Sequence, residues 1–195
     1  MSPDRWGIEG PPPEAYSRVT NPERFQPLHS FAEGLVARLE ARFDVERTEG
    51  YGLDAELERT GTTRPAIRLT PRGPRTAPLV FAFTPFPGVA IRSGRWQVDA
   101  FPTCGCDACD EHAEGEMERL AWLVDQVTAG RFREAIELPA VGTAWQRVEL
   151  WSPDGSRRGS ESRLERAEAR RRLSETHRPT FDWEAWPEVP FPHTT

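Results

Sequence analysis

Lysine is absent from this sequence: all 25 basic residues are arginine. A Schiff-base lysine, a lysine general base and a phosphate-loop lysine are therefore excluded, because each requires a primary amine. Together with abundant Ala, Gly, Pro and Glu, the exclusive use of arginine points to a coding sequence of high G+C content. Long hydrophobic runs are missing too. The longest stretch without a formal charge, Thr76 to Ile91, is 16 residues long and is interrupted by Pro78, Pro85 and Pro87. A spanning helix needs about 20 mostly apolar residues, so no membrane partner is expected. The opening Met-Ser-Pro-Asp-Arg-Trp-Gly has no basic segment followed by an apolar one, and the expectation is a cytoplasmic protein. Cysteine is scarce, with three in the chain, all between positions 104 and 109. In a reducing compartment this clustering points away from a disulfide framework and toward metal binding or redox chemistry.

What is present is enough for a packed core. The 195 residues include 10 Phe and 7 Trp, more apolar bulk than a disordered chain carries, despite 29% charged residues and 19 prolines. The length suits one domain with appended segments. Residues 1–20, with Gly-Pro-Pro-Pro and no periodicity, read as an extended arm that packs through Trp6. Asn21-Pro22-Glu23 carries a helix-start signal with Asn as cap. Phe31, Ala32, Leu35, Val36, Leu39 and Phe43 recur at helical spacing and predict an amphipathic helix from Leu28 to about Arg42. The period then becomes two. Strands are expected at Ala66–Thr70, Leu79–Thr84, Val89–Arg92 and Arg95–Phe101, with a weaker one between Val45 and Leu57. The links between them are too short for crossover helices, so pairing should be antiparallel. Alternation in the last strand predicts one covered and one solvated face.

A second helix is expected over Ala108–Thr128. Phe132–Leu138 is ambiguous, and a strand at Ala144–Trp151 is closed by the turn Ser152-Pro153-Asp154-Gly155. Ser162 and Glu165 form a capping-box pattern opening a third helix that ends near Thr176. The tail Phe181-Asp-Trp-Glu-Ala-Trp-Pro is too aromatic to remain in water, so Trp183 or Trp186 should dock on the body. The architecture predicted is α+β: an antiparallel sheet of four to six strands with helices on one face, followed by a C-terminal hairpin, a basic helix and an aromatic tail. Residues 21–151 would form the core domain and residues 152–195 would pack on it.

The chemistry concentrates at Cys104-Gly-Cys-Asp-Ala-Cys-Asp-Glu-His112, a C-x-C-x2-C-x2-H arrangement. Four N or S donors at this spacing suit a tetrahedral zinc ion with Cys104, Cys106, Cys109 and His112 as ligands. Gly105 permits the tight turn, and Asp107 would cap a helix holding Cys109 and His112 in its first turn. The fourth donor is the least determined, with Asp107, Glu111 or His29 as substitutes for His112. Between Arg95 and Arg119 the sequence has seven acids and no Lys or Arg, a field that favours a bound cation over a reactive thiolate. Four protein ligands would make the zinc structural. With His112 elsewhere, Glu111 or Glu114 would become candidate bases beside an open metal. Cys106-Asp-Ala-Cys109 also permits a thiol-redox reading, although thioredoxin-like motifs belong to a βαβ setting. The cysteines could equally be small buried residues.

Other features are blander. Arg157–Arg178 holds eight Arg and four Glu, a local charge of +4 against −10 elsewhere. Its i,i+4 pairing and lack of interleaved aromatic residues fit a solvated helix better than a nucleic-acid surface. His29, His177 and His193 stand apart from any nucleophile, and no GxSxG, GxGxxG, Walker or HExxH pattern occurs. The Asn21-Pro-Glu-Arg-Phe25 segment, the Tyr51-Gly-Leu53 stretch and the Cys104-Gly-Cys-Asp-Ala-Cys-Asp loop together resemble a family of small proteins from high-G+C bacteria known only as a domain of unknown function. That resemblance implies no activity. The expected function is therefore a non-enzymatic interaction or accessory protein with structural zinc and an unidentified protein partner. The alternatives are a thiol or metal-dependent enzyme using the same loop, and a partner-binding protein of the immunity or antitoxin kind.

Overall fold

Leu79-Val-Phe-Ala-Phe83 contains no polar residue and is buried at every position, which requires cover on both faces of its sheet. In the computed structural model, which describes residues 6–57 and 62–190 (54–56 by backbone alone), this run forms the middle of a five-stranded antiparallel meander. The strands are β1 (Val45–Gly50), β2 (Ala66–Pro71), β3 (Leu79–Thr84), β4 (Gly88–Ser93) and β5 (Gln97–Phe101), in that spatial order. Leu79, Phe81, Phe83, Val89 and Ile91 point to one face, where they meet α1 (Pro27–Arg42) and α2 (Ala113–Thr128). Val80, Ala82 and Ala90 point to the other, against Leu53 and Leu57 of a 3-10 segment, Tyr51–Leu57.

The sequence expectation of one solvated face thus fails for this sheet. The alternation of β5, an edge strand, describes the edge and not the centre. Even there the polar side turns inward: Asp99 pairs opposite Ile91, on the helix side, and burial raises its pKa.

A second antiparallel sheet has the order β8-β7-β6-β9, from β6 (Phe132–Glu137), β7 (Ala144–Trp151), β8 (Arg157–Leu164) and β9 (Thr180–Asp182). The C-terminal hairpin is its β7–β8 half. α3 (Arg166–Thr176) packs on the inner face through Ala169, against Ile136, Ala144 and Trp96. Three helix-start readings give way. Ser162 lies in β8 opposite Gln146, and Glu165 stands at the cap position of α3 without a side-chain bond, so strand pairing replaces the capping box. Asn21 precedes a single 3-10 turn, Pro22–Phe25, and makes no capping bond. α2 begins at Ala113, five residues later than expected.

The tail is stitched to the body. Trp186 N–H donates to Thr128 O, Asp44 N–H to Pro187 O and Val189 N–H to Arg42 O. Trp183 and Trp186 are both buried, and the Trp186 indole donates to Ala77 O at 2.9 Å. His193 and residues 1–5 lie outside the described residues. Among the described residues no helix is long and apolar enough to cross a membrane.

Candidate metal centre

Between the end of β5 and the start of α2 the chain has no regular structure, so the cysteine loop is shaped by contacts from elsewhere. Asp107 N–H donates to Arg18 O at 2.8 Å and Ala108 N–H to Ala15 O at 3.1 Å. The Asp107 carboxylate accepts from the Thr20 backbone N–H and hydroxyl, each at 3.0 Å. Glu111 folds back over the loop and accepts from Cys104 N–H at 3.0 Å and Gly105 N–H at 2.8 Å. Arg24 bridges from the turn before α1, donating to Gly105 O at 3.0 Å and Glu111 O at 3.2 Å. Gly105 has φ +79°, and a β-carbon there would stand 2.6 Å from the Phe86 ring. Only glycine fits that turn without displacement.

These contacts gather Cys104, Cys106 and Cys109, whose Sγ atoms all lie within 4.8 Å of one another. Cys106 and Cys109 approach to 3.5 Å. Sulfurs bound tetrahedrally to one zinc at about 2.3 Å are roughly 3.8 Å apart, so the cluster needs only small adjustments to hold such an ion. Cys106 is buried, while Cys104 and Cys109 are exposed. The cluster ionises unequally. Cys106 is drawn below the ordinary thiol pKa, first by the Cys104 thiol and then by the Cys109 backbone N–H; Cys109 is pushed up to about 12, first by its hydrogen bond with Cys106 and then by that with Cys104. Cys106 thus ionises ahead of Cys109, and a first thiolate raises the cost of the next, a cost that a divalent cation between them would reduce.

His112 is not gathered with the sulfurs. It occupies the position before α2, its ring is exposed, and Nε2 lies 3.6 Å from Asp110 Oδ2. The substitutes for it have other partners. Asp107 is bound by Thr20, and Glu111 by two backbone N–H groups. His29 Nε2 bonds Gly88 O at 2.9 Å, its ring meets Phe83 edge-on, and burial lowers its pKa. Asp107 does not start the helix as its sequence context predicts: the Arg18–Thr20 segment claims it, which leaves Cys109 and His112 in the loop.

The local field also differs from that of the sequence window. Arg24 comes onto the loop from far away in sequence, and Arg119 donates to Thr103 Oγ1 at 2.9 Å and to Glu116 at 2.6 Å. Glu116 and Asp107 are buried. The contributions of Thr20, Arg24 and Phe86 left no local signal in the sequence, whereas Gly105 between two cysteines did.

The model of a family described as a family of unknown function (DUF6226) matches residues 2–190. Neither a curated protein nor a solved structure matches the chain.

Proposed function

We propose that this chain, which belongs to DUF6226, a family of unknown function, is a non-enzymatic accessory or interaction protein that carries a structural zinc ion on Cys104, Cys106 and Cys109. His112 supplies the fourth donor, its exposed ring being the nearest nitrogen ligand in sequence, three residues beyond Cys109. The observation that carries this reading is the convergence of three sulfurs from one irregular loop. Thiolates select a soft or borderline ion, and four protein donors leave no position for a hydrolytic water. Bound there, zinc would fasten the loop on which Ala15–Thr20, Arg24 and the start of α2 all rest. A cytoplasmic location in a G+C-rich bacterium, supported by the arginine usage and the clustered thiols, would keep the sulfurs reduced and able to ligate.

A second reading, thiol chemistry, is favoured by the 3.5 Å approach of Cys106 and Cys109, close enough for a disulfide to form with little movement. One experiment separates the two. Protein purified without chelator is analysed for metal, and its thiols are titrated before and after chelation. About one zinc per chain with thiols masked until chelation supports the structural site; metal-free protein with three titrating thiols, or a Cys106–Cys109 disulfide, overturns it. His112→Ala should weaken zinc at least tenfold, and unchanged affinity would remove His112 from the ligand set.

A further inference from the structure

A cleft of about 620 Å³ opens between β5 with the turn preceding it, the inner face of β8, and α3. It exists because α3 packs over β6 and β7 and leaves the inner side of the edge strand β8 uncovered, exposing Ser160 and Ser162 along one wall. Trp96, Val98, Leu57 and Leu164 supply apolar lining, and Arg95, Arg171 and Arg172 bring positive charge to it.

The charged lining is built rather than incidental. Buried Glu134 accepts from the Arg95 and Trp96 backbone N–H groups at 2.6 and 2.9 Å, which fixes the turn carrying both side chains. The Arg95 guanidinium stands 5.6 Å from the Phe181 ring centroid and forms no ion pair among the described residues. Arg172, with 12% of its side chain exposed, donates to Gln146 Oε1 at 2.7 Å and to Glu168 at 2.5 Å. Gln146 is itself buried and donates onward to Trp96 O at 3.4 Å. Arg171 is held by Glu168 and by Glu175, the one carboxylate among the described lining residues. Glu168 stays ionised because Arg171 and then Arg172 hold its carboxyl down to about 2.

We propose that this cleft binds a small organic oxyanion, a carboxylate or phosphate ester, with Arg95 as its principal contact, Arg171 and Arg172 as supporting charges, and Ser160 and Ser162 as hydroxyl donors. The volume falls within the roughly 300–1,000 Å³ of small-molecule sites. Apolar lining with a few oriented polar groups is the composition such sites use, and the guanidinium fork matches carboxylate and phosphate oxygens two at a time. The site is separate from the cysteine loop in both residues and chemistry.

The test is calorimetric titration of the full-length protein in 150 mM NaCl with citrate, inorganic pyrophosphate and AMP as probes. At least one probe should bind saturably with one site per chain, and the citrate and phosphate arms identify which oxyanion is preferred. Arg95→Gln should weaken that binding at least tenfold. Ser162→Trp, on an exposed strand, should block it without disturbing the core. Arg163→Gln, on the opposite face of β8, should bind as the wild type does, and so should Cys106→Ser, which separates this site from the metal reading. Absence of saturable binding by all three probes overturns the proposal. Wild-type affinity in both Arg95→Gln and Ser162→Trp, or equal loss in Arg163→Gln, does the same.

Discussion

Replacing Glu134 by glutamine should change how stability depends on pH, and the structure sets the sign and size. Glu134 is fully buried where the two sheets meet, with three donors aimed at it: Arg95 N–H at 2.6 Å, Trp96 N–H at 2.9 Å and the Trp183 indole N–H at 3.1 Å. Burial opposes the charged form more strongly than the donors favour it, and the carboxyl is pushed up to about 7. A folded-state pKa above the unfolded value means that the native protein holds the proton more tightly. Stability from this group is therefore greatest below about pH 4.5 and is lost as pH rises through 7. Raising the pKa from 4.5 to about 7 corresponds to roughly 3 kcal/mol.

Glu134→Gln removes that titration. Its carbonyl can still accept from Arg95 and Trp183, but its amide faces the Trp96 donor, so the Trp96 N–H loses its acceptor and meets further donors, at a pH-independent cost of about 1–3 kcal/mol or more. The quantity to measure is the difference in unfolding free energy, wild type minus variant, from urea titrations followed by tryptophan fluorescence between pH 4.5 and 8. Asp99 and Glu116, whose pKa values burial also raises, titrate in both proteins and cancel. The difference should fall by about 3 kcal/mol across that range. A difference constant to within about 0.5 kcal/mol would show that the three donors match the burial cost, and a rise with pH would show that they exceed it; either refutes the reasoning.

Trp186→Ala should cost about 3–5 kcal/mol in the same assay, because it empties a site where the ring packs edge-on against Phe43 and leaves Ala77 O without its donor. Trp186→Phe should cost about 1–2 kcal/mol, the hydrogen bond without most of the cavity. Asp107→Ala removes both bonds from Thr20 and should cost about 1–2 kcal/mol, with proteolysis accelerating specifically within residues 6–20, read by mass spectrometry. Gly105→Ala should destabilise by at least about 1 kcal/mol and weaken zinc binding at least tenfold in a competition titration, because its β-carbon would displace Phe86 from the loop.

The elements legible in the sequence are those whose signal is local. The stripe Phe31, Leu35, Val36, Leu39 gives α1 because helix period and burial agree residue by residue, and Leu79–Thr84 and Ala144–Trp151 are strands as read. The failures share one physical cause, a distant partner that outcompetes the local pattern. Ser162 is drawn into β8 by eight paired positions with β7, more than a capping box contributes. The second sheet is hidden for the same reason: β9 is three residues long and is held by pairing with β6 and by buried Trp183, neither of which has a periodic signature. Glu134 gives no sign of its burial in sequence, because a carboxylate in a strand reads as solvent-facing until the turn at Arg95 and Trp96 is brought beneath it.

The cysteine loop divides in the same way, and the division changes the argument for a cation. Spacing alone selects the three sulfurs, since two turns of a Gly-containing loop are enough to bring them together. The acid-rich window, by contrast, does not describe the field they feel. Of its carboxylates, Glu116 is buried, Asp107 is occupied by Thr20, and Glu111 is spent on two loop N–H groups, while Arg24 and Arg119 arrive from outside. A zinc ion bound by three thiolates and one neutral imidazole would carry a net charge of −1, and Arg24, held by the carbonyls of Gly105 and Glu111 on either side of Cys106 and Cys109, lies against the same loop to offset it. Without a metal the cluster itself favours a single thiolate: hydrogen bonds from the Cys104 thiol and the Cys109 backbone N–H lower the pKa of Cys106, while those with Cys106 and Cys104 raise that of Cys109. What favours a metal is therefore the mutual distance of three donors whose later ionisations a cation would ease, more than a negative background that Arg24 and Arg119 partly offset.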